Sequence, residues 1–254
     1  MITDNFLCRY VRLPFNRGQA HARNYGVKES TGDIILFTDS DCRVMRNWAR
    51  IFSENLMYSH HKSTDIVAIC GQLKSDKGFV EMSHAYAGYA YVQGGNHRAM
   101  DYLNTSCVAI YKNAFLSVGS FAEDMRNGED PELALKLAES GCKVVFDSSV
   151  WVVHNHGIHT FKDMVSKHKR WGQALGLSLM QKHPQRFKFF LSILSKPSLH
   201  FLTILPLALA TTIKIIVFNF KSEKKVFMYF PGIFINKIFF RWGIFIRSCL
   251  INTV

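Results

Sequence analysis

The stretch Ile34-Ile35-Leu36-Phe37-Thr38-Asp39-Ser40-Asp41 decides the fold. Four consecutive apolar residues without alternation read as a short strand buried on both faces, as in a parallel sheet covered by helices. Open α/β sheets bind ligands beyond the carboxyl ends of their strands, so Asp39 and Asp41 are expected to project into such a site. Two carboxylates at a spacing of two suit a hard divalent ion, which in turn neutralises a diphosphate. An Asp-x-Asp triplet alone is common in turns and solvated loops. Its place at the end of an apolar strand gives it weight here.

Working outward, the flanks alternate strand and helix signals. Residues 7–13 read as a strand and Asn16-Arg17-Gly18 as a loop. Residues 19–30 read as a helix, with Ala20, Ala22, Arg23 and Val27 at helical spacing and Gly32 closing it. Downstream, 48–59 is an amphipathic helix and 66–71 a second buried strand. A helix over 131–140 ends at Gly141, and strands follow over 143–146 and 150–153. This alternation predicts a doubly wound α/β sheet. Residues 74–103, rich in Gly, Tyr and His with weak periodicity, read as a loop region over a site.

Three further groups carry chemistry. In Gly128-Glu129-Asp130-Pro131-Glu132-Leu133, Asp130 stands at an expected N-cap with Pro131 at the first helical position. The plain reading is a capped helix; the functional one is a general base held at a fixed helix start. His154-Asn155-His156 follows the strand 150–153, where an imidazole can serve a transition metal such as Mn2+. Arg170-Trp171 offers a guanidinium for a diphosphate and an indole for a sugar, or else an interfacial basic-aromatic anchor.

Near His183-Pro184 the character changes, dividing the chain into 1–182 and a tail, 183–254. The net charge of +12 is concentrated there: residues 182–254 hold 11 Lys and Arg against the single acid Glu223. Residues 199–220 carry only Lys214 as a charge, close to the roughly 20 residues that cross a bilayer. Residues 226–250 are apolar but bear Asn236, Lys237, Arg241 and Arg247 broadly on one side of a helical wheel, as in an interfacial helix. Phe-rich basic segments of this kind suit an anionic bilayer rather than nucleic acid. The six cysteines are scattered without metal-knuckle or CxxC spacing, so neither a disulfide framework nor a cysteine metal site is expected. No basic-then-apolar leader follows Met1, so no secretory signal is expected.

Taken together, these motifs resemble one family. Asn16-Arg17-Gly18-Gln19-Ala20-His21-Ala22-Arg23-Asn24-Tyr25-Gly26 and Thr31-Gly32-Asp33 through Asp41-Cys42 are similar to the inverting family 2 glycosyltransferases. So is the later order Val118-Gly119-Ser120-Phe121, Gly128-Glu129-Asp130, Glu132-Leu133, His154, the likeness covering about residues 7–175. Lys167-x-x-Arg170-Trp171 resembles the Q-x-x-R-W motif of processive members, with Lys167 in place of Gln.

The resemblance implies a GT-A fold, a Rossmann-like, mostly parallel sheet flanked by helices, here followed by C-terminal hydrophobic helices. It implies that Asp39, Asp41 and His154 hold a divalent metal, Mn2+ or Mg2+. Arg23, Asn24, Asp39, Asp41, Arg170 and Trp171 would bind a nucleotide-sugar, with UDP the commonest nucleotide of the family. Asp130 would be the catalytic base, and Asn104, Thr105 and Glu129 would lie on the acceptor side. The acceptor would be lipid-linked or a glycan, at the cytoplasmic face of the membrane. The family's first two strands find no counterpart, because residue 7 already aligns with the third. The strand that ends at Asp39 is then expected to expose an unpaired edge. A misassigned start, a disrupted gene or completion by another polypeptide would each account for this. The alternative reading is an inactive remnant that only associates with membrane or a partner. A metal-dependent phosphoesterase would leave Glu129-Asp130 and Ala22-Arg23-Asn24-Tyr25-Gly26 unused.

Overall fold

The computed structural model describes residues 8–75, 78–125 and 127–251. The elements run α1 (Gln19–Glu29), β1 (Ile34–Phe37), β2 (Cys42–Val44), α2 (Trp48–Lys62), β3 (Ile66–Lys74), α3 (Gly78–Tyr89), β4 (Arg98–Met100), β5 (Val108–Tyr111), α4 (Lys112–Ser117), α5 (Glu129–Glu139), β6 (Lys143–His154) and α6 (Phe161–Trp171). A π-helical turn, Gly172–Gly176, leads into α7 (Leu177–Lys182) and α8 (Lys188–Leu194). The chain closes with α9 (Pro197–Phe220), a 3-10 segment (Lys224–Tyr229) and α10 (Phe230–Ile251).

The sheet is ordered β1-β5-β3-β6-β2, and β4 also pairs with β6. The expected α/β class holds, but the expected predominance of parallel pairs does not. Among the described residues, only β3 and β6 are parallel neighbours, and the other four pairings are antiparallel. Two of the four arise from the insertion of β5 between β1 and β3, which run in the same direction, and the other two are β2 and β4 on β6. One core lies around this sheet, with Ala20 and Val27 of α1, Phe52 and Leu56 of α2, Phe115 of α4 and Leu133 and Leu137 of α5 packed on Ile69, Ile110 and Phe146.

Several local readings change. Residues 8–13 form no strand, and Leu7 lies outside the described residues. Without a ladder partner an extended segment has no sheet to join. Strand β1 is less covered than expected: only Ile35 is buried. It sits at the end of the sheet and, among the described residues, pairs with β5 alone. The strands expected at 143–146 and 150–153 are one, β6, whose register against β3 shifts between Gly71 and Gln72. Within the supposed loop 74–103 lies α3. Its Glu81 is buried, and Ser83, His84, Ala85, Tyr86 and Ala87 are buried in succession. A helix covered around most of its girth has no amphipathic stripe to betray it.

In the tail, α9 is one helix of 24 residues, long and apolar enough to cross a membrane, with Pro206 inside it. Helix α10 lies against α3, α6 and α9. Of its polar stripe, expected at an interface, Asn236, Lys237 and Arg241 turn toward the protein instead, and Arg247 is exposed. Lys237 Nζ donates to the carbonyl of Ala87 at 2.6 Å, and Arg241 donates to Thr211 Oγ1 at 3.2 Å. The crossing of α6 and α10 is backbone to backbone. A β-carbon at Gly172 would land on the carbonyl oxygen of Phe240, and one at Gly243 on that of Lys169.

Candidate active site

At the carboxyl end of β1 the chain opens a cavity of about 400 Å3. Strand β1 delivers Asp39 and the following turn delivers Asp41, so the strand-end argument made from sequence describes the geometry. Helix α1 supplies Arg23, whose guanidinium draws three carboxylates together. Nη2 donates to Asp39 Oδ1 at 2.8 Å, Nη1 donates to Glu129 Oε1 at 2.5 Å, and Asp130 Oδ1 lies 3.6 Å away. Gln19 adds a second donor to Glu129. Ser106 Oγ donates to Asp39 Oδ2 at 2.6 Å.

Asp130 is not the N-cap expected of it. Gly128 occupies that position, with φ of 94°, and the helix begins at Glu129. This leaves the Asp130 side chain free to face the cavity. Its Oδ2 accepts two hydrogen bonds from Thr105, from the amide at 3.0 Å and the hydroxyl at 2.9 Å. Its Oδ1 is buried and accepts no hydrogen bond. Burial, and then the neighbouring Glu129, push the Asp130 carboxyl up to about 7; Arg23 and Thr105 work in the opposite direction. A carboxylate poised near neutrality is what a general base requires.

On the far side of Asp39, donor atoms of Asp39, Asp41, Cys42 and His154 lie within 4.8 Å of one another. His154 Nε2 stands 3.3 Å from Asp41 Oδ1, and its buried Nδ1 has no partner. Burial holds His154 below its ordinary value despite the two aspartates, which favours the neutral ligand form. Burial also pushes the Cys42 thiol up to about 11. Two carboxylates and a neutral imidazole therefore form the donor set, and they fit a divalent ion such as Mn2+ or Mg2+. Behind His154 stand His156, stacked on Tyr89 at 5.0 Å, and His84, whose Nδ1 lies 3.0 Å from His168 Nε2.

Of the residues singled out from sequence, Arg23, Asp39, Asp41, Asn104, Thr105, Glu129, Asp130, His154 and Trp171 line this one cavity. Asn24 does not: it donates to the carbonyl of Phe121 at 3.0 Å and accepts from its amide at 3.1 Å, fixing the loop before α5. Arg170 lines an adjoining cavity that shares Lys167, Trp171 and Asn127 with the first. Thr105 supports Asp130. Asn104 Oδ1 accepts from the amide of Ser106 at 2.9 Å, which shapes the loop holding both aspartates. The sequence reading missed Lys167, Lys237 and Phe240 as lining residues. The one-sided polar stripe of 226–250 was a signal for Lys237.

Residues 2–121 match the family described as Glycosyl transferase family 2. The chain is 25% identical over 184 residues to the pre-mycofactocin glycosyltransferase of Mycobacterium tuberculosis, covering 68% of this chain and 37% of that protein. It thus spans little more than a third of the length of that curated relative. The mannosyltransferase PcManGT from Pyrobaculum calidifontis, solved with GDP-Man and Mn2+, superposes with a TM-score of 0.52 at 17% identity, over 96% of this chain and 68% of that one. That likeness establishes a GT-A fold. GalNAc-T7, solved with UDP, GalNAc and Mn2+, has a TM-score of 0.44 at 16% identity, over 60% of this chain and 34% of that one.

Proposed function

We propose, from the family 2 glycosyltransferase domain that residues 2–121 carry, that the protein transfers a sugar from a nucleotide-sugar to a lipid-linked or glycan acceptor with inversion at the anomeric carbon. The observation that carries the proposal is Asp130: a desolvated carboxylate aimed into the same cavity as the Asp39–Asp41–His154 cluster. The acceptor oxygen attacks the anomeric carbon as Asp130 Oδ1, the oxygen that Thr105 leaves free, takes its proton. The bond to the diphosphate breaks on the opposite side and its electron pair leaves with the diphosphate. A divalent ion bound by Asp39, Asp41 and His154 would supply positive charge to that leaving group. Arg23 keeps Asp39 and Glu129 oriented and compensates their charge. Trp171 offers an aromatic face to the sugar or acceptor. Helix α9, apolar over its length, supports a membrane location, and the acceptor hydroxyl would then be presented at the bilayer surface.

The test is calorimetric UDP binding with and without Mn2+, followed by donor turnover. Binding is expected to require Mn2+ and to vanish in Asp41→Ala. Asp130→Asn is expected to bind UDP as the native protein does, while turnover falls about 10²–10⁴-fold. Metal-independent binding that Asp41→Ala leaves intact would overturn the assignment of the cluster.

A further inference from the structure

One wall of the cavity comes from the tail. Lys237 and Phe240 of α10 line it beside Lys167, His168 and Trp171 of α6. The glycine-to-backbone crossing at Gly172 and Gly243 brings α10 close enough for these side chains to reach in. Lys237 Nζ spends one of its three donors on the carbonyl of Ala87. That carbonyl lies in the last turn of α3, where the helix dipole offsets part of the charge. No carboxylate pairs with Lys237 among the described residues, and the charge that acts on it is Arg241, of the same sign. A half-buried cation without a counter-charge is unfavourable, so this end of the cavity favours an anion. The carboxylates at the other end have partners of their own: Arg23 and Ser106 for Asp39, Arg23 for Glu129, Thr105 for one oxygen of Asp130 and His154 for Asp41.

The surroundings indicate what carries the anion. Helix α10 lies along α9, whose Phe201, Leu202, Leu205, Leu209, Ile213 and Val217 are exposed. An apolar chain leaving the cavity past Phe240 would therefore meet an apolar helix pair. We propose that Lys237 holds the phosphate of a lipid-phosphate-linked acceptor, with its accepting hydroxyl at Asp130 and its hydrocarbon chain running from Phe240 along α9 and α10. This rests on the transferase reading, which makes the cavity the place of transfer, and it narrows the acceptor to one class.

The test uses the full chain in detergent and three probes: farnesyl phosphate, farnesol and inorganic phosphate, followed by tryptophan emission. Farnesyl phosphate is expected to bind roughly tenfold or more tighter than either of the others, because it alone offers both the charge and the chain. Lys237→Met is expected to weaken it by about tenfold or more, and Lys237→Arg by about threefold at most. Mn2+-dependent UDP binding should be unchanged in both variants, which also shows that they fold. In the native protein, farnesyl phosphate should protect Lys237 from acetylation, while UDP with Mn2+ should not. Unchanged affinity in Lys237→Met, equal binding of farnesol or of inorganic phosphate, or absent protection would overturn the proposal. So would an equal loss of UDP affinity in Lys237→Met, which would assign the lysine to the donor diphosphate. Failure of the transferase reading would show instead as absent UDP binding in the native protein.

Discussion

Thr105→Val removes one of the two hydrogen bonds to Asp130 Oδ2 and leaves the other, from the backbone amide, in place. The substitution keeps the volume and the branched shape of the side chain, so its effect falls on the carboxylate. A hydrogen bond to a charged group contributes about 1.5–3 kcal/mol, and one pKa unit corresponds to about 1.4 kcal/mol. Because the Thr105 hydroxyl favours the ionised form, its loss should raise the Asp130 carboxyl by about one to two units above its native position near 7. The base would then be protonated through the neutral range. The assay is the pH dependence of kcat/KM for donor turnover, read as nucleoside diphosphate release. The acid limb should move up by about one to two pH units, and the rate on the alkaline plateau should change far less. Two results would refute the reasoning. A limb that stays put would mean that Asp130 is not the titrating base, and a limb that moves down would mean that the hydroxyl favours the neutral form.

The same carboxyl predicts a pH effect on stability in the metal-free protein. Its folded-state value lies above the ordinary value of 3.8, so the folded state holds the proton longer. Its contribution to stability is fully present below about pH 4, falls as pH rises toward about 7, and is flat beyond. Asp130→Asn should remove that decline from the dependence of the thermal midpoint on pH. At the α6–α10 crossing, Gly243→Ala places a methyl group against the carbonyl of Lys169, and overpacking of this kind costs about 1–3 kcal/mol. A lowered thermal midpoint, together with a shift in Trp171 emission, checks it.

The half of the chain that holds the candidate site was legible where chemistry and periodicity coincide. A strand such as β1, with its carboxylates at one end, announces both its type and its site, and the helix of Gln19–Glu29 announces itself by spacing. What stayed hidden has identifiable causes. The order of strands is not a local property, so nothing in residues 108–111 states that β5 lies between β1 and β3. Helix α3 lost its periodic pattern because α10 and α6 cover faces that would otherwise be polar. The N-cap was misplaced because Pro at the first helical position is a frequent pattern, whereas here Gly128 turns at positive φ and the helix starts two residues before Pro131. Lys167 and Lys237 join the cavity from positions more than a hundred residues beyond Asp39, a distance at which no spacing rule operates.

The orientation of α10 bears on how the tail and the candidate site act on each other. A helix serving only to lie on a bilayer gains most by turning its cations toward headgroups and water. Helix α10 does the reverse with Lys237 and Arg241, placing them on the carbonyl of Ala87 and the hydroxyl of Thr211. That arrangement gives up hydration of two cations, and its return lies in position. Lys237 fixes the end of α3, and α3 and the segment after it bring Gly88 and Tyr89 to the cavity wall. Trp171 of α6 sits against Gly88, where a β-carbon would stand 2.9 Å from its ring. This wall of the cavity is therefore assembled by α3, α6 and α10 together. A change in the environment of the tail reaches this wall of the cavity through these contacts, whereas among the described residues the Arg23–Asp39–Glu129 network has no residue of α10 among its partners. Donor binding should thus tolerate a change of detergent or lipid that acceptor binding does not.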